Sequence, residues 1–327
     1  MSIAVAAAEL VGENRYPIRR RPSARWVHGI ACVTFVSALP LLLLGAEVTT
    51  KGVGMADPRP LVAPWQALGE FEGQSLGFKI EHGHRLAGWF VGMCAIALAL
   101  ALWVTEKRRS LRWFGVLALF AVVVQGVLGI FRVQLNAILG PSLAWIHGSF
   151  APVVLSLLAS VAWLTSPATW NFSDAEQARS TEARKAVSRW ALISVTIVVY
   201  LQVVAGGMVR HQPTLLSARC HLVGAFVAAL SAVWLVHRVN AVGSGGWLGR
   251  ALLGLLTVQL LLGIEAWMSW MARFYIPLAP AREPLATHWI RSGHYLVGAL
   301  LFAATVVLVV KNWSRQGCGQ TSAEVRR

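Results

Sequence analysis

Eight times along the chain a run of about 20 apolar residues stands between polar stretches: 26–48, 83–104, 113–131, 143–165, 187–209, 218–237, 248–270 and 290–310. Wound as a helix, such a run crosses a hydrocarbon core of roughly 30 Å. Lipid offers the backbone no hydrogen bonds, so only helices and closed barrels span it. Barrel strands need only about 9–11 residues, and these runs are about twice as long. The expected fold class is therefore all-α, a polytopic membrane protein of eight transmembrane helices. Composition agrees: 56% of residues are hydrophobic and 13% charged, about half the roughly 25% charged share of soluble domains. The formal net charge of +15 does not point to nucleic acid, because the basic residues sit in short loops between the apolar runs.

Those basic residues set an orientation. Arg15, Arg19, Arg20, Arg21 and Arg25 lie in the N-terminal segment 1–25, and "TEKRRSLR" follows the second span. Arg179, Arg184 and Lys185 lie in 166–186, Arg238 and Arg250 flank the next loop on that side, and Lys311, Arg315, Arg326 and Arg327 lie in the tail 311–327. The opposite loops are sparser and mixed in sign. Both termini are expected on the cytoplasmic side, with 166–186 as a cytoplasmic linker. The first run is long for a signal peptide and lacks a small-x-small site, so it is expected to stay as a span. Cys32, Cys94, Cys220 and Cys318 form no CxxC pair, and no disulfide or zinc framework is expected.

The halves 26–165 and 187–310 resemble each other. "VVVQGVLGIF" in span three matches "LTVQLLLGIE" in span seven when Gln125 is set against Gln259. An even number of spans per half predicts two similar four-helix bundles in parallel repeat. Both glutamines sit well inside their spans, where a hydrogen bond between helices is expected.

Four histidines obey the same repeat: His84, His147, His221 and His294, one in each even-numbered span near its outer end. A lone histidine there is usually an interfacial residue, but four in register are not explained that way. Facing imidazoles inside a four-helix unit suit axial ligation of heme iron. Neighbouring Gly88, Gly148, Gly224 and Gly298 leave room for a flat macrocycle. The cysteine-linked attachment motif is absent, so heme would be held without a thioether. Copper or zinc fits less well, because no further ligand lies close in sequence to any of the four. His82 is the rival of His84; the spacing favours His84, since His84 to His221 is 137 residues and Gln125 to Gln259 is 134.

Glu81 precedes His84 by three residues, which puts both on one helical face. The bland reading is a carboxylate favoured by the helix dipole. The functional one is a general base or electrostatic stabiliser beside a porphyrin. At the corresponding positions before His221 and His294 stand Ala218 and Arg291, so the halves are not equivalent. Chemistry is expected in the first half and a supporting cofactor in the second. Arg85, Arg132 and Arg210 are candidates to pair with heme propionates; their bland reading is snorkelling to the interface.

With these residues in view, the chain resembles heme A synthase. The resemblance rests on eight spans in two halves, a histidine in each even span and the Glu-x-x-His-Arg of Glu81–Arg85. "GAEVTTKGVGMADP", "AGGMVRH" and "LGIFRVQLNA...LAWIHGSFAP" are similar to the family's corresponding segments. The resemblance covers roughly 26–310 and implies oxidation of the C8 methyl group of heme O to a formyl group, with water as the oxygen source. It implies that His84 and His147 bind the substrate heme, that His221 and His294 hold a heme b whose iron relays electrons, and that Glu81 takes part in catalysis. It further implies a bacterial cell membrane, with the heme sites near the outer face. Implied partners are heme O synthase, cytochrome oxidase assembly factors, and a quinone or other electron acceptor. Many family members carry cysteine pairs in the outer loops; this chain has no cysteine between Cys32 and Cys94, which reads as a cysteine-free subtype. Two other functions share the four histidines: a di-heme electron-transfer subunit, which has no need of Glu81, and a non-enzymatic heme carrier.

Overall fold

A computed structural model describes residues 24–59, 61–167, 187–241, 246–275 and 285–324. The described residues are helical throughout apart from their connections. In chain order the helices are α1 (Arg25–Thr50), α2 (Pro64–Gly69), α3 (Leu76–Thr105), α4 (Arg109–Gln134), α5 (Asn136–Thr165), α6 (Arg189–His211), α7 (Leu215–Ala241), α8 (Gly246–Tyr275) and α9 (Leu285–Glu324). Eight of them, all but α2, are long and apolar enough to cross a membrane. Most of the expected linker 166–186 lies outside the described residues. α9 continues to Glu324, through most of the stretch read as a tail.

Seven of the eight spanning helices begin earlier than their apolar runs and α6 begins two residues later, because caps and not hydropathy decide where a helix starts. Ser75 caps α3 by accepting a hydrogen bond from the Phe78 backbone N–H at 3.3 Å. Ser188 does the same for α6 through Ala191, at 3.1 Å. The histidines therefore lie between about one and a half and three turns into their helices. His84 is eight residues past the start of α3, His147 eleven past the start of α5, His221 six past that of α7 and His294 nine past that of α9. At 1.5 Å per residue these are depths of roughly 9–17 Å.

Two apolar clusters organise the packing. One joins Val27, Ala31 and Leu42 of α1 to Leu98 and Leu102 of α3, Ala118 of α4 and Leu155 and Leu158 of α5. The other joins Leu192 and Val199 of α6 to Leu235 of α7, Leu252 of α8 and Phe302 and Leu308 of α9. α5 and α9 pack against each other at the centre, and α4 and α8 lie outside. Large apolar side chains such as Phe120, Leu230 and Leu261 are more than 60% exposed, the surface that a lipid environment calls for.

Polar contacts tie the two clusters together near the histidines. Tyr295 donates to the Gly148 carbonyl at 2.8 Å, Trp145 to the Val204 carbonyl at 3.0 Å, and the Thr50 and Ser292 hydroxyls meet at 3.2 Å. Hydrogen bonds between membrane helices are worth only about 0.6 kcal/mol on average. Their value lies in fixing rotation and register, which a histidine pair requires.

Candidate functional site

Each of the four histidines packs against a glycine on the preceding span. A Cβ on Gly45 would lie 2.8 Å from the His84 ring, on Gly129 3.3 Å from His147, on Gly206 2.9 Å from His221 and on Gly263 3.0 Å from His294. Real Cβ atoms essentially never come under 3.0 Å, so at Gly45 and Gly206 only glycine leaves space for the ring, while at Gly129 and Gly263 a Cβ would crowd it. One turn before three of these glycines stands a glutamine that reaches the same imidazole. Gln125 Nε2 lies 3.2 Å from His147 Nε2, Gln202 Nε2 lies 2.9 Å from His221 Nδ1, and Gln259 Nε2 lies 3.4 Å from His294 Nε2. The interhelical role expected of Gln125 and Gln259 is thus a contact to histidine. In the first span the equivalent position is Leu41, and its backbone carbonyl lies 3.1 Å from His84 Nδ1. At His84, His221 and His294 a partner on one ring nitrogen fixes the ring and leaves the other for a metal; Gln125 lies within reach of both nitrogens of His147, at 3.4 Å from Nδ1 and 3.2 Å from Nε2.

The glycines singled out from sequence do other work. Gly224 and Gly298 make room for the side chains of Gln202 and Gln259, Gly148 faces His211, and a Cβ on Gly88 would touch only Leu41, at 4.0 Å. Gly45, Gly129, Gly206, Gly263 and Gln202 escaped the sequence reading, although the spacing Gln-x-x-x-Gly at 125/129, 202/206 and 259/263 was a usable signal.

His221 and His294 face each other. Their ring centroids are 6.3 Å apart with planes at 87°. Two metal–imidazole bonds of about 2 Å each, plus the two ring radii, account for that separation. His294 Nδ1 is buried without a hydrogen bond. The pair fits an iron between the rings. Gly206→Val is expected to push the His221 ring out of line and lower the heme content of purified protein several-fold at equal expression; unchanged heme content would show that the close packing is incidental.

Glu81 is 4% exposed and doubly held. Its Oε2 accepts from the Asp57 backbone N–H at 2.9 Å and its Oε1 from Arg85 Nη2 at 2.7 Å. Arg85 also donates to the carbonyls of Asp57 and Arg59, at 2.8 and 2.6 Å. It is thereby committed to Glu81 and to the loop between α1 and α3. Arg132 lies over Gly54 of that loop, within charge–charge range of Glu81, His84 and His147. No ion pair holds its guanidinium among the described residues. Arg210 donates to the Ala46 carbonyl and Thr50 Oγ1, both at 2.5 Å, and its guanidinium lies 5.6 Å from the Tyr295 ring.

His82 does not join His84. Two residues on a helix are separated by about 200°, and His82 turns into the loop. It is fully buried, with Nε2 3.6 Å from both Asp57 Oδ2 and Glu70 Oε2. Arg59 bridges these two carboxylates. Burial alone would raise the Asp57 carboxyl, but the Arg59 hydrogen bonds and the charges of Arg59 and Arg85 hold it below its usual range. The Arg59 hydrogen bonds likewise depress Glu70. Glu47 was also missed: it is 3% exposed, and among the described residues it pairs with Lys51 Nζ at 3.6 Å.

Residues 69–220 match the family described as cytochrome oxidase assembly protein. The chain is 29% identical over 192 residues to heme A synthases of Bacillus cereus and Bacillus anthracis, and 28% identical to that of Bacillus mycoides. These alignments cover 58% of this chain and 58% of each relative, so the chain matches less than two thirds of their length. No solved structure matches it.

Proposed function

We propose that this chain, whose residues 69–220 match the cytochrome oxidase assembly protein family, is a membrane oxidoreductase that converts heme O to heme A. The net reaction takes a methyl group and one water to a formyl group and releases four protons and four electrons. The observation that carries the proposal is Glu81. A buried carboxylate held by two donors one turn from His84, and matched by nothing before His221 or His294, suits proton removal at a single methyl group. A simple electron-transfer subunit needs no such group.

In this reading His84 and His147 bind the substrate heme and set its height and rotation, so that one methyl group meets Glu81. Gly45 and Gly129 admit the two rings, and the Leu41 carbonyl and Gln125 orient them. Arg132 is the propionate partner, because no carboxylate among the described residues holds its guanidinium. Arg210 serves the second site, beside Tyr295 and His294; Arg85 serves Glu81 instead. His221 and His294 hold heme b, which supplies one-electron redox chemistry. The two four-helix halves form a parallel repeat, with both termini cytoplasmic and the heme sites toward the outer face. Heme O synthase would deliver the substrate, oxidase assembly factors would receive the product, and a quinone or similar acceptor would take the electrons.

The chain, expressed in a host that makes heme O but lacks its own converting enzyme, is expected to yield hydroxylated and formyl hemes on extraction. Heme O alone in the extract, from cells containing correctly inserted protein, would refute the enzyme reading.

A further inference from the structure

We propose that Asp57, Glu70 and His82 form a binding site for a zinc-class divalent cation, occupied competitively by the Arg59 guanidinium. The three residues come from separate places: the loop after α1, the end of α2 and the first turns of α3. Their ligand atoms all lie within 4.8 Å of one another. His82 Nε2 is 3.6 Å from Asp57 Oδ2 and 3.6 Å from Glu70 Oε2. A tetrahedral zinc with bonds of about 2.1 Å has ligand–ligand edges of about 3.4 Å. The side chains need to move only slightly to meet that requirement, and water would complete the shell.

The independent sign of a ligand is His82. It is 0% exposed, and neither ring nitrogen has a hydrogen-bond partner, a condition that buried polar atoms rarely keep. Its ring is stacked on Phe78 at 4.0 Å and 19° and flanked edge-on by Phe71, so Nε2 is held toward the carboxylates. Arg59 Nη2 marks where a cation sits, 2.8 Å from Asp57 Oδ2 and 2.5 Å from Glu70 Oε2. The Arg59 side chain is 46% exposed and reaches in from solvent, so it can withdraw. Two carboxylates with a neutral imidazole favour zinc over magnesium or calcium, which prefer all-oxygen shells. The site bears on the rest of the protein through Asp57, whose backbone N–H holds Glu81. A bound cation would brace the loop that carries this contact.

The test uses the heme-loaded full chain, purified in detergent through a histidine-free tag, stripped with chelator and titrated with Zn2+ by calorimetry and by metal analysis. One Zn2+ per chain is expected, undisturbed by excess Mg2+. Asp57→Asn, Glu70→Gln and His82→Gln should each weaken it, by at least the roughly 10- to 100-fold that loss of even an outer-shell partner costs. Arg59→Gln should tighten it, since the competing cation is gone. The b-type heme spectrum should remain in all four variants, which reports folding; Glu70 is partly exposed and tests the site without touching buried packing. Absence of bound zinc in the wild-type chain, binding undiminished in Glu70→Gln, or binding weakened by Arg59→Gln would each overturn the proposal. None of these outcomes depends on heme O conversion.

Discussion

Glu81→Gln is expected to leave a folded, heme-loaded protein whose conversion of heme O falls by about 10²- to 10⁴-fold, the usual contribution of a positioned general base. Glutamine keeps the shape and one acceptor oxygen, so the Asp57 N–H can still be met. It removes the charge and places an amide against Arg85, which keeps the carbonyls of Asp57 and Arg59. Glu81→Ala should lose as much product. The control is Arg85→Gln, which loosens the loop but leaves the carboxylate and should cost far less. Hemes extracted from cells expressing each variant and separated by chromatography give the readout. Undiminished product in Glu81→Gln would remove the residue from catalysis; an equal loss in Arg85→Gln would make it a loop anchor.

Removing either ring of the facing pair should have the other large effect. His221→Ala and His294→Ala are each expected to abolish the low-spin b-type spectrum of purified protein, because an iron bound between these two rings, whose centroids lie 6.3 Å apart, would need both. His84→Ala should leave that spectrum intact while lowering conversion of heme O. Gln202→Leu should retain the heme but shift its midpoint potential, since a hydrogen bond to the distal ring nitrogen tunes ligand basicity. An unchanged spectrum in both the His221 and His294 variants would contradict the assignment.

Much of this site was visible as a pattern along the chain. The four histidines stood out because ionisable residues are rare in apolar runs, and their spacing followed the Gln125–Gln259 match. Glu81 stood out because Ala218 and Arg291 replace it elsewhere. The glycine seats did not stand out, since glycine is common in membrane helices for many reasons. Gly45 could be told from Gly88 only once α1 was placed against α3. The repeat spacing favoured His84 over His82 as a ligand, and the helix separates the two and sends His82 to the loop.

The sequence by itself determined the class and the inventory: eight apolar helices, one histidine in each even span, and one carboxylate beside one of them. These follow from quantities local to the chain, namely run length, periodicity and the cost of charge in lipid. Only the tertiary structure decided the pairings. It brought His221 against His294, set Glu81 on the Asp57 N–H and Arg85, and diverted Arg85 and His82 into the loop between α1 and α3. It also buried Glu47. Those outcomes depend on how each helix is rotated about its axis and how deep it sits against its neighbours. Van der Waals packing and a few weak interhelical hydrogen bonds set both, and neither is written in any single stretch of residues.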